Sequence, residues 1–194
     1  MDIIKRAKNV IVAPKQEWLT IEAENAPHAK VFITYVVLLA LIPAVAAFIG
    51  NGLIGYTVLG YHIGSISLGI RTAIVQYVGM IGGAYLSAYI IDTLAKNFGA
   101  TKNFNQAFSL VAYSYTPMLV GGIFNIHHSL AWLAVVAGIY GLYLLYIGLK
   151  PMMKVPEEKQ TSYFVVSLLV MIVVSIVLSA ILGAFLLRGM MPRF

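Results

Sequence analysis

The sequence predicts an all-α integral membrane protein: a five-span helical bundle preceded by amphipathic interfacial helices. Two observations carry that class. Residues 31–70, 72–91, 103–149 and 160–187 contain no Asp, Glu, Lys or Arg. An uncharged apolar run of about 18 residues or more reads as a helix that crosses a bilayer. The chain is also 60% hydrophobic and only 10% charged, where a soluble domain carries about 25% charged residues. Its mean hydropathy is +0.88. A water-soluble globular fold is excluded, and 194 residues suit one compact bundle without a second large domain.

Residues 1–30 read as a cytoplasmic amphipathic segment. Ile3, Ile4, Ala7, Val10 and Ile11 follow helical spacing, with Lys5, Arg6 and Lys8 on the other face. Pro14 interrupts, and a second short helix, 15–24, presents Trp18 and Ile21. Two placements fit: helices lying in the headgroup plane with Lys5, Arg6, Lys8, Lys15 and Trp18 toward anionic lipid, or helices packed under the cytoplasmic mouth of the bundle. The first apolar run begins about 30 residues in, too late for the h-region of a cleavable signal peptide.

The membrane domain is expected over 31–187, with spans near 31–49, 72–94, 104–124, 130–149 and 163–187. Residues 50–71 carry glycines at 52, 55, 60, 64 and 69, so they read as an outer hairpin or interfacial loop rather than a sixth span. Gly99 suits the left-handed position after a helix end. Asn103 with Gln106 three residues on resembles a capping box opening the third span. The 103–149 run breaks at Asn125-Ile126-His127-His128-Ser129. Cytoplasmic loops are expected at 95–103 and 150–162, and a short outer tail at 188–194.

Charge sets the orientation. Five spans with the N-terminus inside put Lys5, Arg6, Lys8, Lys15, Lys30, Lys96, Lys102, Lys150, Lys154 and Lys159 in the cytoplasm, against Arg71, Arg188 and Arg193 outside. A sixth span would even out that bias, so the positive-inside rule favours five spans, N-terminus in and C-terminus out. The net charge of +6 is explained by cytoplasmic-loop lysines facing anionic lipid rather than by nucleic acid.

Within the spans, few residues could carry function. Pro43 and Pro117 each remove a helix hydrogen bond, from the carbonyls of Leu39 and Tyr113. Broken helices line binding sites in transporters, but kinks are also ordinary in membrane helices whose freed groups are satisfied locally. Ser114 and Thr116 stand beside Pro117 for that purpose, within Tyr113-Ser114-Tyr115-Thr116-Pro117. Asp92 is the acid nearest a hydrocarbon region. It reads either as a structural ion pair with Lys96, four residues on, or as an intramembrane functional acid. Small residues in the second span (Gly79, Gly82, Gly83) and fifth span (Ser175, Ser179, Gly183) suit close helix packing or a homodimer. Tyr140, Tyr143 and Tyr146 read as an interfacial belt. His62, His127 and His128 face outward without acidic ligands in metal-site spacing, so no metal site is expected. With no cysteine and no nucleophile, phosphate-loop or zinc-protease motif, neither enzyme activity nor a cofactor is expected.

Several phrases belong together: Pro14-Lys15-Gln16-Glu17-Trp18, Ala44–Gly50, Ile91-Asp92-Thr93-Leu94-Ala95, Phe98–Phe104, Ala112–Pro117 and Tyr140–Leu149. In combination the chain resembles the Yip (Ypt-interacting protein) domain family, in its short bacterial form, from about 14 to 187. The resemblance implies five spans and a cytosolic N-terminus. Its eukaryotic members bind prenylated Rab-type GTPases in membrane traffic. That role does not carry over, because the residues before the first span fall short of those relatives' long extension and a prokaryotic cell lacks the Rab partners.

The reading is a non-enzymatic multi-pass protein, expected in a prokaryotic inner membrane, that organises anionic lipid or an unidentified protein partner at its cytoplasmic face. A homodimer is also allowed, and no nucleic acid is expected. The alternative is a small solute or ion transporter using the kinked spans and Asp92. A polar cavity at Pro43 and Pro117 that reaches Asp92 would favour the alternative.

Overall fold

The computed structural model describes residues 2–188, with side chains through 184. The expected outer tail, including Arg193, lies outside the described residues, as does the side chain of Arg188. The chain is an all-α integral membrane bundle with five membrane-length helices. Two short helices, α1 (Ile3–Val12) and α2 (Pro14–Glu24), precede them. The spans are His28–Ile54, Ile66–Phe98, Phe104–Ile126, His128–Met153 and Glu157–Ala184, the last helix continuing to Arg188.

Local chemistry explains most boundaries. Asp2 caps α1, accepting from the backbone N–H of Ile4 and Lys5 at 3.1 Å each. Pro14 opens α2, where its missing N–H costs nothing. Between spans one and two, β1 (Tyr56–Val58) pairs antiparallel with β2 (Tyr61–Ile63), Tyr56 opposite Ile63. Leu59 and Gly60 both have positive φ (50° and 84°), the signature of a type I′ hairpin turn. Helix continues to Ile54 and restarts at Ile66, so the non-helical part of the 50–71 stretch is shorter than expected.

The turns at the opposite, N-terminal face are short too. Gly99 sits at φ 69° and closes the second span by bonding back to Lys96. Asn103 caps the third span through Asn105 and Gln106 N–H. The return half of the expected capping box is absent, because the Gln106 amide instead donates to Glu22 O and Asn25 Oδ1 at 3.1 Å each. Helix runs through Pro151 to Met153, and Lys154 turns the chain at φ 51°. The expected loop 150–162 is thereby reduced to a tight turn, with Lys150 donating to Glu157 across it at 2.8 Å.

The third span is the centre of the bundle: 72% of its most apolar stretch is buried, against 11% for the fifth span. The fifth span leans mainly on the second and turns Ile172, Val173, Ile176 and Val177 outward, as a lipid-facing helix should. Close helix approach occurs at glycines other than those singled out in spans two and five. A Cβ on Gly122 would lie 2.5 Å from Pro43 Cβ, one on Gly69 2.5 Å from Gly52 Cα, and one on Gly141 2.7 Å from the Ser114 carbonyl. Gly82 and Gly183, by contrast, meet nothing within 4 Å.

Candidate functional site

The N-terminal helices form a helical hairpin packed into the bundle. Amphipathicity explains the docking of α1: it buries Arg6, Ala7 and Val10 and leaves Ile4, Lys5, Lys8 and Val12 exposed. The hairpin's tip reaches the fourth span, where the Tyr140 hydroxyl donates to Ile11 O at 2.7 Å. That contact lies about 20 Å of helix from the span's end at Met153. Trp18, 1% exposed, lies flat against Gly148 of the same span; a Cβ there would stand 2.7 Å from the indole. Thus Arg6 and Trp18 face protein rather than lipid headgroups, which corrects the expected lipid-binding set. The physical reason is α2, whose carboxylates attract Arg6 inward while Gly148 makes room for the indole.

Arg6 is the hub of this contact. Its guanidinium donates to Glu17 at 2.5 Å and to Glu24, and Asn9 donates to the other Glu17 oxygen at 3.1 Å. Burial works against its charge, but the hydrogen bond to Glu24 and the two carboxylates more than offset that and hold its pKa above the ordinary guanidinium value. The same group stands over the Tyr113 ring, 5.6 Å from its centroid.

Tyr113 leads directly to the break in the third span. Pro117 cannot donate to the Tyr113 carbonyl; Thr116 Oγ1 donates to it instead, at 2.6 Å. A hydroxyl has one proton to give. The Tyr35 hydroxyl, 2.7 Å from Thr116 Oγ1, is therefore the donor in that second bond. The Tyr35 and Tyr113 rings meet edge-on at 4.8 Å. Hairpin, first span and kinked third span are joined here, with the Tyr35 and Thr116 hydroxyls both paired.

The opposite side of the same kink is different. Ser114 and Tyr115 border a cavity of about 480 Å³ between spans two to five. Tyr115 shares a 3.0 Å hydrogen bond with Ser87, and Ser175 and Ser179 complete the polar lining. The Ser114 hydroxyl has no partner among the described residues, although the residue is 2% exposed. Neither Pro43 nor Asp92 borders this cavity. Pro43 serves as the packing partner of Gly122 instead.

Asp92 is buried near the other end of the second span, and its partner is not Lys96. The helix tightens to a 3₁₀ turn over Ala95–Phe98, which leaves Lys96 exposed. Lys102 comes within 3.9 Å of Asp92 Oδ2, while Oδ1 has no partner among the described residues. The outward histidines have local roles: His128 stacks on Tyr56 at 4.6 Å, and His127 Nδ1 accepts from Ser129 N–H at 3.4 Å. Tyr143 is exposed beside Tyr140, their ring centroids 5.7 Å apart, and the Tyr146 hydroxyl meets Thr161 at 3.2 Å.

Fold and site together define a five-span membrane bundle whose N-terminal helical hairpin is clamped onto a proline-broken central helix. Residues 8–181 match the Yip1 domain, nearly the whole chain, and the protein belongs to that family. The family is not a known family of enzymes. The chain is 27% identical over 156 residues to the inner membrane protein YohC of Escherichia coli K12, covering 77% of this chain and 80% of that protein. It matches the YohC of E. coli O6:H1 to the same extent. No solved structure matches the chain.

Proposed function

We propose that the protein is a non-enzymatic organiser of anionic lipid at the cytoplasmic face of a prokaryotic inner membrane. The observation that carries this reading is the outer surface of the helical hairpin. Lys5, Lys8 and Lys15 are exposed there, with Lys30 beside them, next to the exposed apolar side chains Ile4, Val12 and Leu19. Arg6 pairs with both Glu17 and Glu24 and offsets one of their two charges. Basic residues beside apolar ones suit an anionic headgroup layer, and each lysine near such a surface contributes about 1 kcal/mol. The same lysines favour a cytoplasmic N-terminus by the positive-inside rule. The inner-membrane relative supports the compartment.

The test is lipid selectivity of the full chain in nanodiscs of mixed phosphatidylglycerol and phosphatidylcholine. Native mass spectrometry should show enrichment of phosphatidylglycerol adducts. Replacing Lys5, Lys8 and Lys15 together with Gln should reduce that enrichment several-fold. Equal enrichment in the triple variant would leave the proposal without support and turn attention to a protein partner.

A further inference from the structure

The cavity beside Pro117 plays no part in the lipid-surface proposal, and its lining specifies an occupant. Its polar groups are all hydroxyls: Ser87, Ser114, Tyr115, Ser175 and Ser179. The remaining walls are apolar, among them Met118, Leu142, Leu145 and Met171. Among the described residues no charged side chain lines it. An ion or a phosphate would enter without a counter-charge, at heavy cost in a low-dielectric site.

Depth narrows the choice further. Gly141, on the cavity wall, stands midway along the span His128–Met153, about 18 Å of helix from either end. Ser87 lies about 16 Å from the end of its span at Phe98. Ser87 and Gly141 therefore lie well inside their spans rather than at the ends. The cavity also opens sideways. Ile172, Ile176 and Leu142 border it and are themselves 47%, 63% and 37% exposed on the lipid-facing surface. Access is therefore from the bilayer, between spans four and five.

Its size is also in the range of small-molecule sites, about 300–1,000 Å³. One polar group in it is unspent: the Ser114 hydroxyl, buried and without a partner among the described residues. Such a group costs about 1–3 kcal/mol if left unpaired, and a ligand hydroxyl would relieve that cost. Ser87 and Tyr115 already pair with each other, and each hydroxyl oxygen keeps accepting capacity for a further donor.

We propose that this cavity binds a neutral lipid alcohol, its hydroxyl among Ser114, Tyr115 and the serines of the fifth span and its apolar tail leaving between spans four and five. The probe is a diazirine-bearing farnesol, photolysed with the full chain in phospholipid nanodiscs. A phosphatidylcholine with a diazirine on its acyl tail is the parallel control. Farnesol label is expected on peptides containing Met118, Leu142 or Met171, saturable, and reduced at least fivefold by unlabelled farnesol. The double variant Ser114→Ala/Ser179→Ala should cut it at least threefold. Gly138→Leu should abolish it by filling the cavity, since the nearest atom to a Cβ there is Met118 Sδ at 3.9 Å. If Gly138→Leu loses its monodisperse elution, the serine variant decides. Absent or unsaturable farnesol labelling would overturn the proposal. So would unchanged labelling in the serine variant, or equal labelling of the same peptides by the phosphatidylcholine tail, which would assign the space to bulk lipid.

Discussion

The two sides of the third span solve the same problem in opposite ways. Both carry polar groups within a bundle surrounded by hydrocarbon, and both flank the break at Pro117. On the side of α1 and α2, Arg6 pairs with Glu17 and stands over the Tyr113 ring, while Thr116 joins Tyr35 to the Tyr113 carbonyl. On the cavity side, Ser87 and Tyr115 pair, while Ser114 stays unpaired. A satisfied polar network rigidifies the helices it joins, whereas an unpaired buried hydroxyl is costly unless something pairs with it. The first side therefore reads as structure, and the second as a site.

Substitutions can break this contrast, and the largest effect should come from Arg6→Ala. It strands the Glu17 carboxylate in a mostly buried position, and removing one partner of a buried ion pair costs about 3 kcal/mol or more. Thermal unfolding in detergent should show a drop of many degrees; an unchanged midpoint would mean that the hairpin contributes little to the fold. Gly148→Val comes next. Its side chain would collide with Trp18 and Leu110, an overpacking cost of about 1–3 kcal/mol, and limited proteolysis should then cut α2 faster. Retained protection would argue against close seating of the indole.

Thr116→Val should follow, at about 1–2 kcal/mol, because it leaves the Tyr113 carbonyl and the Tyr35 hydroxyl without their partner. Tyr35→Phe alone should cost less, since it removes only the outer bond; the reverse order would contradict Tyr35 as the donor to Thr116. The smallest effect should be Ser114→Ala, neutral to slightly stabilising within about 0.5 kcal/mol of the parent, because it deletes an unpaired hydroxyl. A loss comparable to that of Thr116→Val would show that Ser114 has a partner and that the two sides are alike.

The legible part of this architecture is the part encoded locally. Charge-free runs mark the spans because a bilayer demands about 20 apolar residues in sequence. Gly60, Gly99 and Asn103 mark turns because each answers a backbone requirement within a few positions. Even the repair of the Pro117 break was visible, since Thr116 adjoins it. What escaped were contacts between residues far apart in the chain. Arg6 looked lipid-facing because Glu17 and Glu24 are 11 and 18 residues away, and only the hairpin brings them together. Helical periodicity separates polar from apolar faces, but it cannot say that a cation will turn inward to meet acids on a neighbouring helix. Similarly, the cavity draws its hydroxyls from three spans, and no single helix carries its pattern. Ser175 and Ser179 have helix-packing spacing and line an open space instead. Asp92 meets Lys102 rather than Lys96 because a 3₁₀ turn interrupts the helix between them.

The central claim is that the N-terminal helices are docked into the bundle rather than resting on the membrane surface. Val12 and Tyr143 border the same shallow pocket at the hairpin's tip, and both are exposed, so replacing them should leave the fold intact. The chain has no cysteine, which removes background. Val12→Cys/Tyr143→Cys, oxidised in native membranes or bridged by a short bifunctional thiol reagent, should give an internal cross-link in most of the protein, seen as a mobility shift reversed or blocked under matched controls. Cross-linking no greater than that of a control pair placing the second cysteine at Val173, on the lipid-facing side of the fifth span, would contradict the docked hairpin.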